Sequence, residues 1–252
     1  MMMPVLFIGH GAPTNALEKN EFTLIWENLA KKISKPKALL CLSAHWLKEG
    51  SAITAMKKPK TIHDFYGFPP PLYQLSYPAP GSPQLAKSIQ KRIKTVSLQL
   101  DQEWGLDHGT WSVLMHMYPQ ADIPVLQISL DYLLPLEKMF KLGQELASLR
   151  QEGILIIGSG NLVHNLMVMQ PGSKPYPWAV QFDQFVKENI KKGNYEQLLQ
   201  YATHPAALKA HPTNDHLLPL FYILVAAGKD QPQFFNEKIE YGSVSMRCVV
   251  FG

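Results

Sequence analysis

The sequence has only two cysteines among its 252 residues, Cys41 and Cys248, and they lie far apart. Each falls inside an apolar run, which is typical of a small buried hydrophobic side chain rather than of a disulfide or a thiolate metal site. A chain that does not depend on disulfides is expected in a reducing compartment. We therefore expect a cytoplasmic protein.

The sequence also lacks membrane, targeting and nucleic-acid-binding segments. No stretch reaches the roughly 18 uninterrupted apolar residues of a membrane-spanning helix, and the first four residues lack the basic region of a signal peptide. The net charge is only +4, and the densest basic stretches, 57–60 and 187–192, lack interleaved aromatic residues. We therefore expect neither a membrane nor a nucleic-acid partner.

What the sequence does contain is a set of three apolar runs that each lead to a histidine. The runs over 5–9, 38–44 and 154–160 lead to His10, His45 and His164, respectively. Short apolar runs bounded by Gly and Ser, with helical patterns between them, indicate buried parallel strands, whose shared carboxyl edge is where ligands bind. The sequence therefore predicts one α/β domain over residues 1–252, with a mostly parallel or mixed central sheet flanked by helices and a metal site at the carboxyl ends of the strands.

Helical periodicity and turn residues predict the connecting elements. Asn15 and Glu18 resemble a capping box that starts the first helix, and Ser82 followed by Pro83 predicts the start of another. The other predicted helices begin at Thr110 or cover Pro135–Arg150, Trp178–Lys191 and His216–Ala227, and the other predicted strands cover 51–55, 96–100, 123–130 and 244–250.

An aromatic and proline-rich segment, residues 61–81, interrupts this regular pattern. Its prolines exclude a long helix or a central strand. Long irregular segments inside compact domains are usually functional or disordered, and this one is too aromatic to be a disordered linker. We therefore predict that it forms a wall of the ligand pocket.

Local context separates the nine histidines. His10 and His45 follow equivalent strand ends beside small residues, which favours metal ligation. His164 follows a third strand, and His216 lies near a predicted helix N-terminus, whose positive dipole end favours a neutral imidazole. His108 is a loop histidine that the adjacent Asp107 could orient.

The remaining histidines carry weaker signals. His63 begins the aromatic segment and could face the pocket, although a hydrogen bond within the segment is an equal alternative. A structural role is expected for the last three, His116, His204 and His211.

An imidazole-rich site suits zinc, iron, copper or nickel, and the sequence does not distinguish among these ions. Asp215 and Glu240 leave open a facial arrangement of two histidines and one carboxylate, which is typical of ferrous oxygenases.

Six motifs in order along the chain resemble those of the 4,5-DOPA extradiol dioxygenases, within the class III extradiol ring-cleavage superfamily. Together they are highly specific, and the likeness extends over essentially the whole chain. The motifs are Gly9-His10-Gly11-Ala12-Pro13, Ser43-Ala44-His45-Trp46, Thr61-Ile62-His63-Asp64-Phe65, Tyr77-Pro78-Ala79-Pro80-Gly81, Asp107-His108-Gly109-Thr110-Trp111 and Gly160-Asn161-Leu162-Val163-His164-Asn165.

The resemblance implies an enzyme with a non-haem ferrous ion, sometimes replaced by zinc, that opens a catechol such as DOPA beside its two hydroxyls with molecular oxygen. The expected product is a ring-opened semialdehyde. The resemblance implies His10, His45 and His216 as metal ligands, and gives His164 the role of catalytic base or of a further ligand. His108 would hydrogen-bond bound oxygen or an intermediate.

The same resemblance implies further features of the site and the assembly. His63, Phe65 and Tyr66 are candidate substrate-binding residues, with Phe68 and Tyr73 as additional pocket residues. Better-known members of the superfamily supply a glutamate where this chain offers His216, which weakens the transfer of their metal preference. We expect a small aromatic diol and oxygen as the partners, and a monomer or a small homo-oligomer.

Two alternatives use the same histidines. A zinc-dependent hydrolase would use them to lower the pKa of a bound water and would work without oxygen. A non-enzymatic metal-binding protein on the same scaffold would tolerate the loss of His108.

Overall fold

The centre of the molecule is a sheet of apolar strands that are buried on both faces. The computed structural model of the chain describes residues 2–252. Its strands are β1 (Val5–Gly9), β2 (Ala38–Lys48), β3 (Ala52–Thr54), β4 (Gln99–Asp101), β5 (Val125–Asp131), β6 (Ile154–Gly160), β7 (Pro232–Phe235), β8 (Ile239–Glu240), β9 (Val244–Ser245) and β10 (Cys248–Phe251).

Eight of these strands form one mixed sheet in the order β4-β3-β5-β2-β6-β1-β10-β7. The four central strands, β5, β2, β6 and β1, are parallel to one another. Antiparallel pairing begins at the margins, where β3 meets β5 and β10 meets β1. Because β2, β6 and β1 are neighbours, their carboxyl ends open onto the same region.

Helices cover both faces of the sheet. None of those in the described part of the chain combines the length and the apolar character needed to cross a bilayer. They are α1 (Glu21–Lys32), α2 (Pro70–Tyr73), α3 (Pro83–Arg92), α4 (His108–Met117), α5 (Leu136–Leu146), α6 (Pro177–Lys192), α7 (Tyr195–Leu199), α8 (Ala207–Ala210) and α9 (Leu218–Ala226), with short 3-10 turns at Pro13–Ala16, Ala147–Glu152, Leu166–Val168 and Tyr201–Thr203.

The two-residue period of the strands divides the core into two layers. In β1, Leu6 and Ile8 pack with α1 and α4 on one face, whereas Val5 and Phe7 pack on the other face with α3, α5, α6 and α9. Side chains that alternate along a strand point to opposite faces, and both faces here are apolar because both are covered. The predicted α/β fold with a mixed sheet between helices is confirmed.

The ends of several predicted helices and strands are wrong. Helix α1 is capped by Asn20, whose side chain accepts from the backbone of Phe22 and Thr23, and not by Asn15. Asn15 lies in a 3-10 turn instead, because Pro13 favours the start of a tight turn there. The predicted cap at Ser82 is confirmed, since its hydroxyl accepts from the backbone N–H of Leu85.

Two predicted strands are shorter or broken. The strand predicted over 96–100 is restricted to β4, and the closing strand predicted over 244–250 is divided into β9 and β10 by Met246 and Arg247. Arg247 is buried and forms an ion pair with Asp183 of α6. Its side chain is therefore directed to that helix and away from the main sheet. The aromatic segment 61–81 also contains one helical turn, α2, which begins at consecutive prolines.

Candidate metal centre

Three histidines from distant parts of the sequence meet above the carboxyl ends of the central strands. His10 directly follows β1, and His45 lies in the last part of β2. His216 lies in the turn before α9. Its backbone carbonyl accepts a hydrogen bond of 2.9 Å from the backbone N–H of Asn161. A Cβ atom at Gly160 would lie only 2.1 Å from that carbonyl oxygen, so the glycine allows the turn to approach the sheet.

The nitrogen atoms of these rings are close enough to share one ion. The Nε2 atoms of His10 and His45 are 3.0 Å apart, and one ring nitrogen from each of the three histidines lies within 4.8 Å of the others. Histidine nitrogens bind zinc at about 2.0–2.1 Å, so His10, His45 and His216 could hold one ion between them.

Each of the three rings has an acceptor behind it. The Nδ1 atom of His10 lies 2.9 Å from the hydroxyl of Ser159, which itself donates to the carbonyl of Gly109. The Nδ1 atom of His216 lies 2.5 Å from a carboxylate oxygen of Asp215. The Nδ1 atom of His45 lies 3.3 Å from a carboxylate oxygen of Asp64.

These acceptors determine which ring nitrogen carries the proton. The proton of the Ser159 hydroxyl is committed to Gly109, so Ser159 accepts from Nδ1 of His10. Asp215 likewise accepts from Nδ1 of His216, and the carboxylate of Asp64, 3.3 Å from Nδ1 of His45, favours a proton on that nitrogen. This leaves a lone pair on each Nε2. Two neutral rings whose Nε2 lone pairs face each other at 3.0 Å repel unless a cation lies between them. The donor set therefore fits a divalent metal ion.

The electrostatics of the site favour neutral imidazoles. Burial, followed by the charges of neighbouring histidines, holds the pKa of His10 and of His216 well below the ordinary range. Burial also lowers the pKa of His45 to about 3, with a further contribution from His108 and an opposing one from Asp64. At His216 burial is the largest cause, and the neighbouring His164 is the next. A neutral imidazole is the form that binds metals.

His164 lies beside this group but outside it. Its ring stacks on that of His216, with centroids 3.4 Å apart and planes 8° from parallel. Burial lowers its pKa to about 4, although the charge of Asp215 acts in the opposite direction. The structure thus places His164 at the wall of the site, and not in the set of three close nitrogens.

His108 approaches from the opposite side, at the first turn of α4. Its ring centroid is 3.9 Å from that of His45. Its Nδ1 atom lies 3.0 Å from Oδ2 of Asp64, and its backbone N–H donates to Oδ1 of the same residue at 2.9 Å. The carboxylate that orients His108 is therefore Asp64, and the prediction that Asp107 orients it is wrong.

Asp107 has a different role, which explains that error. Its carboxylate caps α4 by accepting from the backbone of Thr110, and it also accepts from Ser43 and from the amide of Gln127. These bonds turn the carboxylate away from the ring of His108, its neighbour in sequence. Burial, together with the charge of Asp64, raises the pKa of the Asp107 carboxyl.

A cavity of about 320 Å³ opens above the histidines. Its wall combines apolar and aromatic side chains with five histidines, which are His10, His45, His108, His164 and His216. Phe65 and Tyr66 of the aromatic segment are among the aromatic side chains. The other lining residues are Gly11, Ala12, Pro13, Asp64, Phe68, Leu166, Met169, Tyr241 and Val244.

Two of the predicted pocket residues lie behind this wall. His63 is not among the lining residues, because its Nε2 atom bonds to the carbonyl of Leu75 at 3.0 Å and its ring packs on Trp111. Tyr73 packs against Phe65 rather than lining the cavity. His63 and Tyr73 therefore support the aromatic wall from outside.

The positions of Asp215 and Glu240 decide whether either carboxylate could be a metal ligand. Asp215 lies behind His216 as its hydrogen-bond acceptor. Glu240 belongs to β8 and is not a lining residue, and burial with the charges of Glu18 and Glu21 raises its pKa. Neither Asp215 nor Glu240 therefore joins two of these histidines as a metal ligand.

The remaining histidines lie outside the cavity. His116 and His211 bond through Nε2 to the carbonyls of Asn15 and Leu162. Nδ1 of His204 accepts from the backbone of Ala206. Cys41 and Cys248 are both free and buried, as predicted.

Sequence reasoning missed two residues that orient the site, Asp64 and Ser159. Asp64 carried one local signal, since it is the only acidic residue in the aromatic segment 61–81. Ser159 carried little, because a serine in a Gly-Ser-Gly strand end is common and its partners are distant in sequence.

Comparison with known proteins agrees with this geometry. A family model described as the catalytic LigB subunit of aromatic ring-opening dioxygenase matches residues 4–252. A protein of Escherichia coli K12 named 4,5-DOPA dioxygenase extradiol is 46% identical, and the match covers 99% of this chain and 95% of that protein. A protein of Beta vulgaris with the same name is 42% identical, with 89% of this chain and 87% of that protein covered.

The fold comparison gives the same assignment. A crystal structure of an uncharacterized protein from Escherichia coli K12 superposes with a TM-score of 0.87 at 42% identity, covering 99% of this chain and 100% of that one. A family model that spans nearly the whole chain, together with full-length relatives above 40% identity, defines the family. The chain therefore belongs to the LigB family of aromatic ring-opening dioxygenases and is an extradiol dioxygenase.

Proposed function

We propose that this enzyme holds a ferrous ion through His10, His45 and His216 and opens the ring of a catechol such as DOPA with molecular oxygen. Cleavage would occur beside the two hydroxyls and give an open-chain semialdehyde. Both atoms of the oxygen molecule enter the product, so no separate reductant is needed.

The observation that carries this proposal is the convergence of three neutral imidazoles on one point. Each Nδ1 atom faces an acceptor, and the Nε2 atoms of His10 and His45 face each other at 3.0 Å. Neutral nitrogen ligands suit iron or zinc, and three of them leave open positions for substrate. When bound, the ion would supply a common contact for the catechol oxygens and dioxygen and a path for electrons between them.

His164 is the proposed base for the catechol. Its ring lines the cavity beside His216, where a substrate hydroxyl above the three nitrogens would meet it. Because burial lowers its pKa to about 4, the ring is neutral near pH 7 and has a lone pair for the substrate hydroxyl. Transfer of the proton to this ring would require that a bound metal ion also lower the pKa of the hydroxyl.

His108 is the proposed acid on the opposite side of the cavity. Its Nδ1 atom is held by Asp64, so only Nε2 is available to a group in the cavity. When protonated on both nitrogens, the ring held by Asp64 would donate from Nε2 at a set position, which would favour cleavage of an oxygen–oxygen bond.

The shape and chemistry of the cavity fit a small aromatic diol. A volume of about 320 Å³ is at the lower end of the range for small-molecule sites. Phe65, Phe68 and Tyr66 offer aromatic faces above the histidines, and offset or edge-to-face contacts between rings stabilise such a ligand.

The test is oxygen uptake by protein reconstituted with ferrous ion in the presence of DOPA and a panel of simple catechols. We expect oxygen consumption with the appearance of a yellow ring-opened product. The absence of oxygen uptake across the whole panel, with stoichiometric iron bound, would contradict the proposal.

The two alternatives receive less support. A zinc-dependent hydrolase would use the same imidazoles, but the family model and the named relatives are dioxygenases. Ester or amide hydrolysis by the zinc-loaded protein under anaerobic conditions would favour it. A non-enzymatic metal-binding role would be favoured if His108→Ala left every property of the protein unchanged.

We also propose that zinc can replace iron at the same three nitrogens, since both ions accept imidazole ligands. A cytoplasmic location is proposed because both cysteines are free thiols. The proposed assembly is a monomer or a small homo-oligomer, which size-exclusion chromatography with light scattering would test.

A further inference from the structure

One carboxylate, that of Asp64, contacts both a candidate metal ligand and the candidate acid. Its Oδ1 atom accepts from the backbone N–H of His108 at 2.9 Å, and its Oδ2 atom lies 3.0 Å from Nδ1 of His108. The same Oδ2 atom lies 3.3 Å from Nδ1 of His45. We propose that Asp64 is a positioning residue that orients His45 and His108 together, an inference that rests on the proposed function of those two residues.

The shared oxygen favours a proton on Nδ1 of both rings. A carboxylate only accepts hydrogen bonds, so His108 presents its Nδ1 proton to Asp64, and the negative charge 3.3 Å from Nδ1 of His45 favours a proton on that nitrogen as well. His45 then has its lone pair on Nε2, toward His10, and His108 can act on the cavity only through Nε2.

The backbone around Asp64 is held firmly enough for this role. Ile62, two residues earlier, donates to the carbonyl of Leu106 at 2.7 Å and accepts from the indole N–H of Trp111 at 2.8 Å. Phe65, the next residue, packs edge-on against the ring of His108 with centroids 5.5 Å apart. The aromatic segment is therefore tied to the first turn of α4, and its carboxylate is delivered to a defined place.

The same three side chains could in principle hold a second metal ion. One donor atom each from His45, Asp64 and His108 lies within 4.8 Å of the others. Such an ion would require His45 to bind metal through both ring nitrogens at once, and so to lose its Nδ1 proton. Hydrogen bonding to the carboxylate satisfies the same atoms without that deprotonation, which favours the positioning role.

Asp64→Asn is the informative variant. An asparagine retains one acceptor oxygen in place of two, so it cannot face the backbone N–H of His108 and the two rings with acceptors at the same time. Its NH₂ group must face either that N–H or the rings, and the side chain or the rings must shift to relieve the contact between donors. Asp64→Glu keeps the charge and tests whether part of the function is recovered.

The first measurement is the affinity for zinc, together with the number of ions bound per chain. Loss of a carboxylate behind a metal-binding histidine typically lowers affinity about 10- to 100-fold, and we expect this for Asp64→Asn. Asp215→Asn should show a similar loss, because it removes the acceptor behind His216. Asp122→Asn, an exposed residue paired with Lys35, should bind zinc like the unmodified protein.

The second measurement separates the two aspartates. In the zinc-loaded protein, the ¹⁵N signals of the imidazole nitrogens report the tautomer of each ring. Asp64→Asn should shift the signals of both His45 and His108, whereas Asp215→Asn should shift that of His216 and leave that of His108 in place. At saturating ferrous ion, the kcat of Asp64→Asn should also be at least about tenfold lower than that of the unmodified protein, because His108 remains misplaced.

The zinc and NMR measurements do not depend on ring cleavage, so they test the role of Asp64 even if no catechol is a substrate. Normal zinc affinity with unchanged His45 and His108 signals in Asp64→Asn would overturn the inference. Two zinc ions per chain in the unmodified protein would also overturn it, in favour of a second metal site. A thermal unfolding curve for each variant shows that it is folded.

Discussion

The buried histidines predict that the metal-free protein loses stability in mild acid. Burial lowers the pKa of His45 to about 3 and that of His164 and His211 to about 4, and it holds the pKa values of His10 and His216 well below normal. In the unfolded chain, each imidazole titrates near 6.5. Below that pH the unfolded state therefore binds more protons, and the free energy of unfolding falls as the pH falls.

The magnitude follows from the same linkage. At pH 5.5, one unit below the unfolded pKa, each histidine that stays neutral in the folded state costs about 1.4 kcal/mol of stability. Five such residues together cost at most about 7 kcal/mol, which is comparable with the whole stability of a typical domain, about 5–15 kcal/mol. Carboxylates with ordinary pKa values remain ionised in this range, so the effect between pH 6.5 and 5.5 belongs to histidine.

The assay is urea unfolding of chelator-treated protein, followed by tryptophan fluorescence, at pH 7.5, 6.5 and 5.5. We expect the midpoint to fall between pH 7.5 and 6.5, by up to about 2 kcal/mol in stability, and to fall more steeply between pH 6.5 and 5.5. His211→Gln provides a control outside the cavity, because glutamine can still donate to the carbonyl of Leu162 but does not titrate. Its loss between pH 7.5 and 5.5 should be smaller by about 1.4 kcal/mol. Equal midpoints at pH 7.5 and 5.5 in the unmodified protein would refute the reasoning.

Three further predictions concern the site directly. His10→Ala and His45→Ala should lose bound metal, as measured by elemental analysis, whereas His108→Ala should keep metal and lose turnover; equal metal content in all three would contradict these roles. Ser159→Ala removes the acceptor behind His10 and should lower zinc affinity about 10- to 100-fold in a competition titration. Gly160→Ala places a Cβ atom 2.1 Å from the carbonyl oxygen of His216. The free energy of unfolding in urea should therefore fall by roughly 1–3 kcal/mol, and metal binding should weaken as well. Normal stability would show that the turn can move away freely.

The strand-end histidines could be predicted from the sequence because their determinants are local. Apolar runs that stop at glycine or at small residues define both the strand and its end, and parallel strands share one carboxyl edge. His10 and His45 are placed by this pattern alone. His216 lies in a turn, and its approach to the sheet depends on Gly160, more than 50 residues earlier. Its residue type, its place near a predicted helix N-terminus and the family resemblance pointed to it, but no strand end did.

The orienting carboxylate could not be predicted in the same way. Adjacency in sequence favoured Asp107 as the partner of His108, but Asp107 is the N-cap of α4, and its carboxylate points back to the helix backbone. Asp64 reaches His108 across 44 residues. The helix α1 boundary shows the same limit, because Asn15 and Asn20 are both good caps and only the preceding Pro13 turn decides between them.

The charge distribution around the three imidazoles leads to a last prediction. Neutral ligands leave the charge of a divalent ion uncompensated, and here carboxylates lie behind two of them. Asp64 lies 3.3 Å from Nδ1 of His45, and Asp215 is hydrogen-bonded to His216. The negative charge is thus supplied without occupying a coordination position. A glutamate in place of His216 would bring two carboxylates together, and like charges this close oppose ionisation of both. We expect His216→Glu to bind zinc more weakly than the unmodified protein at pH 7, and the double variant with Asp215→Asn to regain part of the affinity. Equal zinc affinities for the single and double variants would show that Asp215 acts on the metal site only by orienting the ring, and not through its charge.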